Sequence, residues 1–413
     1  MSDVLTSTAV LRPGPTGLKR VLMRWAMAAM PFGFRLLRRF KPIPRFGKTY
    51  VATLHDDVRE VFATDTAFGV PYAPKLEVIM GGEPFFLGMA DTPQYHADVA
   101  AMRRVVLPDD LPRLGARVEA MAEAIVAAAP GQIEVVDALV RKVTFDFLGE
   151  YLGVPAPPQG DLRVWGTRLF EYQFVASDAA LVEEVKVIAP ALRDHIQHQI
   201  EARRARPDGR DDVLARCLKL QAQGAPGYSD AQIRTALMGF IVGGPPQPPM
   251  VVPQAMEQLL RRPEALAGAQ AAARADDDAL LAGYVIEAMR FDPLAPGLPR
   301  MVLKDWTLAA GTRHARLIPA GSTILAAFAS AMRDGRRVSD PERFDPRRLP
   351  HEYIHFGHGL HQCFGEHINR ATLHMMLKPL LRRANVRRAA GSAGHLTKQG
   401  AFAERLMVAF DPA

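Results

Sequence analysis

Apolar residues recur at helical spacing through 116–129, 179–204, 211–222, 254–273 and 277–291, with Ala, Leu, Arg, Glu and Met carrying most of the pattern. Each stretch predicts a helix, and an apolar run from 368 to 383 predicts another. Strand signals are few and short: 49–54, 301–302, and 322–328 after the turn-forming Pro319-Ala320-Gly321. Connections carry Pro and Gly, as at 155–160, 207–209 and 224–227, and none is long or polar enough for an interdomain linker. The pattern predicts a mainly α protein with small β-sheets. It is a single large domain over 45–413, preceded by a basic amphipathic segment, 1–44.

That segment holds an uncharged run, 25–34, interrupted by Pro31 and flanked by Lys19, Arg20 and Arg24 on one side and Arg35, Arg38 and Arg39 on the other. The run is too short to span a bilayer, which takes about 18 apolar residues or more. It reads either as a basic surface helix packed on the body or as an interfacial anchor on anionic lipid. Composition narrows the rest. Of 413 residues, 48% are hydrophobic and 23% charged, which excludes wholesale disorder. Two cysteines, Cys217 and Cys363, exclude a disulfide framework and a multi-cysteine zinc site, and fit a reducing compartment. The formal charge of +7 is too small an excess to argue for nucleic acid.

The informative stretch comes late, at Phe356-Gly357-His358-Gly359-Leu360-His361-Gln362-Cys363-Phe364-Gly365. Its glycines permit turns and close backbone approach. A thiolate at Cys363 would sit near the start of the helix that follows, where N–H groups and the dipole stabilise negative charge, so it suits a metal ligand or a nucleophile.

This loop resembles the heme-binding loop of the cytochrome P-450 family, Phe-Gly-x-Gly-x-His/Arg-x-Cys-x-Gly, at every fixed position. Other segments agree in order. Glu287-Ala288-Met289-Arg290 resembles the family's Glu-x-x-Arg pair, Ala329 to Asp334 its Ala-Asn-Arg-Asp stretch with Met332 in place of Asn, and Phe344 to Arg348 its Phe-x-Pro-x-Arg meander. The resemblance implies the P-450 fold around a buried heme b, iron protoporphyrin IX, with Cys363 as the axial thiolate and metal ligand. It implies Phe356 beside the sulfur, propionate contacts from His361, Arg103 and Arg300, and a Glu287–Arg290–Arg348 network. A further propionate contact falls on His96 or its neighbour Tyr95, the register there being open.

The pattern breaks in the central helix. Where the family carries Ala/Gly-Gly-x-Asp/Glu-Thr, an acid and an alcohol that relay protons for dioxygen activation, this chain has Gly243-Gly244-Pro245-Pro246-Gln247-Pro248-Pro249. Pro246 stands for the acid and Gln247 for the threonine, and an amide is a poor relay. An interior proline costs about 3 kcal/mol, so four in five positions predict a break or widened turn. Gly243, Gly244 and Gln247 are the candidate distal residues. Three readings follow: a monooxygenase relaying protons through water, an enzyme using hydrogen peroxide or a substrate hydroperoxide without an electron donor, and a non-catalytic heme-binding protein.

The resemblance places the substrate walls at Phe85, Phe86, Leu87, Phe240, Ile241, Leu294 and Phe402, an apolar set that suits a lipid, terpenoid or aromatic molecule. A ferredoxin or flavodoxin-type electron donor would act in trans, docking near the cysteine loop through Arg347, Lys378, Arg382, Arg383, Arg387 and Arg388. The expectation is a cytoplasmic monomer with peripheral membrane contact through 23–40.

Overall fold

The computed structural model describes residues 2–14, 17–175 and 178–412. The side chains of Lys19, Arg20 and Arg24 in the basic segment lie outside the described ones. Helices dominate, and their starts follow local chemistry. Asp178 caps Ala179–Ala205, Asp212 caps Val213–Ala222, and Asp277 caps Asp278–Phe291, each side chain accepting a first-turn N–H. Ser229 and Gln232 form a reciprocal capping box at the start of Asp230–Gly243.

The 254–273 stretch, expected as one helix, is two: Pro248–Leu260 and Pro263–Arg274. Pro263 has no N–H to continue the first, and the residue before it, Arg262, is driven to extended backbone (φ −129°, ψ 88°). The strand ends also shift. The 49–54 signal ends at Ala52, because Leu54 caps the helix His55–Ala63. The 322–328 signal narrows to Thr323–Ala326, and Phe328 opens a short helix instead.

Two apolar bodies result. The larger is helical and includes Asp230–Gly243, Pro248–Leu260, Asp278–Phe291 and Glu366–Arg382. The smaller packs under a five-stranded sheet ordered Arg45–Phe46, Thr49–Ala52, Thr323–Ala326, Leu298–Val302, Phe68–Gly69. Thr49–Ala52 and Thr323–Ala326 run parallel, and Arg300 lies opposite Ile324 on the next, antiparallel strand. A third, small cluster gathers Phe170, Met250 and Phe402.

The basic segment contains the helix Gly17–Phe40, which touches the body at its C-terminal end: Arg38 donates to the Ser330 carbonyl at 3.1 Å and to its hydroxyl at 2.9 Å. Its apolar residues from Leu18 to Phe32 are mostly exposed, so this stretch is not packed on the body as the first of the two readings had it. Among the described residues, no helix is long and apolar enough to cross a membrane.

Asp110 ties three elements together. It accepts from Arg216 at 2.5 and 2.8 Å, from Arg113 at 3.0 Å and from Tyr151 at 2.8 Å. Burial raises its pKa, but these donors outweigh that and hold the carboxyl below the ordinary range. A depressed carboxylate contributes stability that is present above its unfolded pKa and lost as pH falls through the folded one. Asp110→Asn is therefore expected to lower the unfolding free energy by about 3 kcal/mol at neutral pH. Urea titrations should show that deficit persisting down to about pH 4 and shrinking only below it.

Candidate active site

The cysteine loop is held by its own backbone. The Cys363 N–H donates to the Phe356 carbonyl at 2.8 Å and the Gln362 N–H to the Gly359 carbonyl at 3.1 Å. Gly359 has φ +74°, and a Cβ there would stand 2.4 Å from the Phe62 carbonyl, so only glycine fits between this loop and the helix His55–Ala63. Gly365 caps Glu366–Arg382. Cys363 thus sits at that helix's N-terminus, with its sulfur 4.0 Å from where a Gly365 Cβ would be. Burial pushes the thiol up to about 11, while the Gly365 N–H and the charge of Arg103 pull the other way. Cys217 differs: it is wholly buried, and burial pushes its thiol up to about 12.

Behind the loop lies the buried acid network. Arg290 forks onto Glu287 at 2.7 and 2.8 Å, with both side chains fully buried. Glu287 also accepts from Tyr353 at 3.0 Å and from the Asp345 N–H at 3.0 Å, with the Arg348 guanidinium 3.4 Å away. Arg348 pairs with Glu352 at 2.7 Å, an acid that sequence patterns did not single out. Arg290 reaches the Met332 carbonyl at 3.1 Å, so the methionine at this position still supplies the contact, through its backbone.

The cationic and donor groups converge from three elements. Arg300, from the strand Leu298–Val302, is 4% exposed; its guanidinium lies over the Phe62 ring and donates to the Pro299 carbonyl. No described carboxylate pairs with it. His361 keeps a buried Nδ1 without a partner, and burial, with Arg300's charge, lowers its pKa to about 4. Arg103 lies over the Phe364 ring at 3.9 Å. Phe356 sits edge-on to His355, with the Arg370 guanidinium over its ring at 5.1 Å.

At the open register the side chains separate. His96 faces solvent and pairs with Asp91 at 2.5 Å, whereas Tyr95 is buried, donates to the Leu360 carbonyl and meets the His361 ring edge-on. The His96 expectation is thus corrected in favour of Tyr95: on the helix Pro93–Arg103 adjacent positions point about 100° apart, and only one can face the cleft. Tyr72, which carries no sequence signal, is buried near Arg300 and meets the Phe174 ring edge-on.

A cleft of about 300 Å³ opens beside the loop, lined by Phe86, Leu87, Tyr95, Arg103, His361 and Cys363 among others. Phe86, Phe240 and Phe364 pack together, Phe240 stacking on Phe364 with centroids 5.2 Å apart, and Phe85 presses on Gly239. Ile241 is buried in the helical core. Leu294 and Phe402 join the third cluster with Phe170 and Met250. Six of the seven apolar wall candidates therefore lie in or against the helical core, Leu294 also packing against the third cluster, which holds Phe402.

The central helix breaks where the prolines predict. It ends at Gly243 and resumes at Pro248. Pro245 and Pro246 offer no N–H to the carbonyls of Ile241 and Val242, their helical partners. Gly244 admits no Cβ, since one would stand 2.7 Å from the Phe240 carbonyl. The Gln247 side chain donates to the Gly243 carbonyl, replacing its own backbone N–H, which turns to Gly244 at 3.2 Å.

The expected docking cations are largely neutralised. Lys378 is 3% exposed among Asp276, Asp278 and Glu119. Arg382, Arg383 and Arg388 pair with Glu119, Glu123 and Glu257, and Arg387 lies 3.4 Å from Asp411. Arg347 alone of the six is exposed without an ion pair among the described residues.

An orphaned imidazole nitrogen, an unpaired buried guanidinium and a second cation over an aromatic ring all lie near a thiol at a helix N-terminus. They fit a flat cofactor carrying carboxylates and a thiolate-ligated metal, which defines a heme-thiolate protein. The chain belongs to the cytochrome P450 family, whose profile matches residues 174–400, and the family's enzymes bind heme through a cysteine thiolate. It is 29% identical over 283 residues to the cytochrome P450 monooxygenase PikC of Streptomyces venezuelae, covering 68% of this chain and 63% of that one. It is 25% identical to the cyclomarin C epoxidase CymV of Salinispora arenicola, covering 88% of this chain and 89% of the other. Among solved structures it superposes on cytochrome P450 TbtJ1 with a TM-score of 0.76 at 24% identity, over 93% of this chain and 97% of that one.

Arg300 is a charge the protein alone does not balance. Arg300→Met is expected to leave the heme-free protein as stable as before or more so, by about 1 kcal/mol or more. The same change should speed heme loss to a scavenging apoprotein about tenfold, because a propionate would lose a buried, charge-assisted partner.

Proposed function

We propose that this protein is a monooxygenase acting on a hydrophobic small molecule, a lipid, terpenoid or aromatic compound, with Cys363 as the heme ligand. The observation that carries the reading is the Cys363 thiol fixed at the N-terminus of Glu366–Arg382 by the loop's own hydrogen bonds. Bound heme supplies one-electron and dioxygen chemistry that side chains lack. One oxygen atom enters the substrate and the other leaves as water, consuming two electrons and two protons. Arg300, His361, Arg103 and Tyr95 hold the propionate edge, and Glu287, Arg290 and Arg348 brace the loop from behind. Phe86, Leu87 and Phe240 exclude bulk water from the thiol side of the cleft.

Protons need another route than an acid and an alcohol. Gln247 is engaged with Gly243 and acts as a positioning residue that keeps the turn open. The carbonyls of Ile241 and Val242, deprived of helical donors by the prolines, are acceptors able to hold a water chain. Electrons come from a ferredoxin or flavodoxin-type donor in trans. Its docking site is the hollow across the loop, where Arg59, held against a neutral His358, provides the positive charge and Arg370 is paired with Glu366. The protein works as a cytoplasmic monomer.

Anaerobic ferric enzyme mixed with hydrogen peroxide and fatty-acid hydroperoxides should show no multiple turnover, and product should form only with dioxygen, a surrogate ferredoxin and its reductase. Fast peroxide turnover without a reductase would replace this reading by a hydroperoxide-using one. Cys363→Ala should abolish the thiolate-type spectrum of the reduced carbonyl complex.

The helix Gly17–Phe40 adds contact with a membrane surface. Leu18, Leu22, Trp25, Phe32 and Leu36 follow one another at three- and four-residue steps, or their sum, and all are exposed, Trp25 by 72%. Six basic residues and no acid accompany them, so a second copy of the helix would repel while an anionic bilayer would attract. The protein should sediment with phosphatidylglycerol vesicles and not with phosphatidylcholine vesicles, and Trp25→Glu with Phe32→Glu should abolish it. Equal recovery in the supernatant with both vesicles would exclude the contact.

A further inference from the structure

The five-stranded sheet has two unlike faces. Side chains alternate along Leu298–Val302, so Arg300 and Val302 turn inward and are buried while Met301 turns outward, followed beyond the strand end by Leu303. Register partners share a face, and the pairing runs from Phe46 to Thr49, Thr49 to Thr323, Thr323 to Met301 and Met301 to Gly69. Gly69 has no side chain, and Leu303 covers it, with its Cδ atoms 3.1 Å from where a Cβ would be. A row thus crosses the outward face from edge to edge. Phe46 opens it, 62% exposed, and Met301 and Leu303, both exposed, close it.

A sheet face turned to water ordinarily carries polar side chains, and large apolar ones exposed together mark a contact surface. Charge says what it contacts. The stretches that bear the row, 45–49, 301–305 and 316–323, hold Arg45, Lys48, Lys304 and Arg316 against one acid, Asp305, whose carboxylate accepts the Ala320 N–H at 2.8 Å. Arg45 and Arg316 donate to the carbonyls of Gly47 and Ile43, and none of the four cations forms an ion pair among the described residues. A second copy would bring the same cations face to face, whereas an anionic surface attracts them. The position agrees. Phe40, exposed at the end of Gly17–Phe40, is joined to Phe46 by a chain that reaches about 20 Å at most, close enough for one flat bilayer to meet both.

We infer that the outward face of this sheet, through Phe46, Met301 and Leu303, is a second contact with an anionic bilayer, and that it seats the body of the protein on the membrane beside the helix. The inference rests on the membrane reading of Gly17–Phe40. In this placement Leu298–Val302 presents Met301 to lipid and Arg300 to the interior, and only the sheet separates the bilayer from that guanidinium.

The test uses full-length holoenzyme carrying Thr323→Cys, with a nitroxide on the new thiol in the middle of the row; Cys217 is buried and Cys363 is the heme ligand. On phosphatidylglycerol vesicles the label should collide more with oxygen and less with a water-soluble nickel complex, the ratio rising about fivefold, and phosphatidylcholine vesicles should leave it unchanged. Phe46→Glu with Met301→Glu should weaken partition onto phosphatidylglycerol about tenfold while the thiolate-type carbonyl spectrum is retained. Protein that sediments with the vesicles while its label still reports water would overturn the second contact and leave the helix reading standing. Unlabelled wild-type protein that stays in the supernatant would remove both. Dipolar broadening between labels in vesicle-free solution would place a second copy on this face and overturn the lipid assignment.

Discussion

Everything around the cysteine loop leans on one buried carboxylate. Glu287 has no solvent to accept from, so its lone pairs must be met by protein, and they are met from several segments at once: Arg290 on its own helix, Tyr353, the Asp345 backbone and, more distantly, Arg348. A surface pair at the same spacing would contribute little. Fully buried, it becomes a constraint, since any shift of the stretch 345–353 would strand charge in the interior. That stretch leads directly into Phe356 and the loop. The rigidity that the thiol needs is set by electrostatics several residues away from it.

The second constraint is the proline run in the central helix. Pro245 and Pro246 offer no N–H, so one helix ends at Gly243 and another starts at Pro248. The break is self-consistent: Pro248 and Pro249 sit in the first turn of the new helix, where a missing N–H costs nothing, and the Gln247 side chain covers the exposed Gly243 carbonyl. The proline run is thus absorbed as a local helix restart, with the buried Met250 and Val251 following immediately in register.

The loop was legible because its glycines do geometric work that no other residue can do, as at Gly359, where a Cβ would strike the Phe62 carbonyl. The Glu287–Arg290 pair was legible by spacing and order. Tyr95 was not separable from His96, because adjacent helical residues differ only in direction and the pattern there has no apolar stripe to fix the phase. Glu352 and Tyr72 carry no motif at all; they are recruited by neighbours distant in sequence. Docking cations read from composition along the last helix proved mostly paired, since charge counts ignore partners that folding brings near. The segment 2–14 has no periodicity, and Trp165 and Arg168, which donate to its Leu5 and Ala9 carbonyls, lie about 160 residues away along the chain.

The restart in the central helix also divides it mechanically. Pro245 and Pro246 carry no hydrogen bond across the turn, so Asp230–Gly243 and Pro248–Leu260 are joined there by the Gln247 side chain on Gly243 and by the Gly244 and Gln247 N–H groups. The two halves are therefore expected to exchange their amide protons as separate cooperative units, with the turn opening before either.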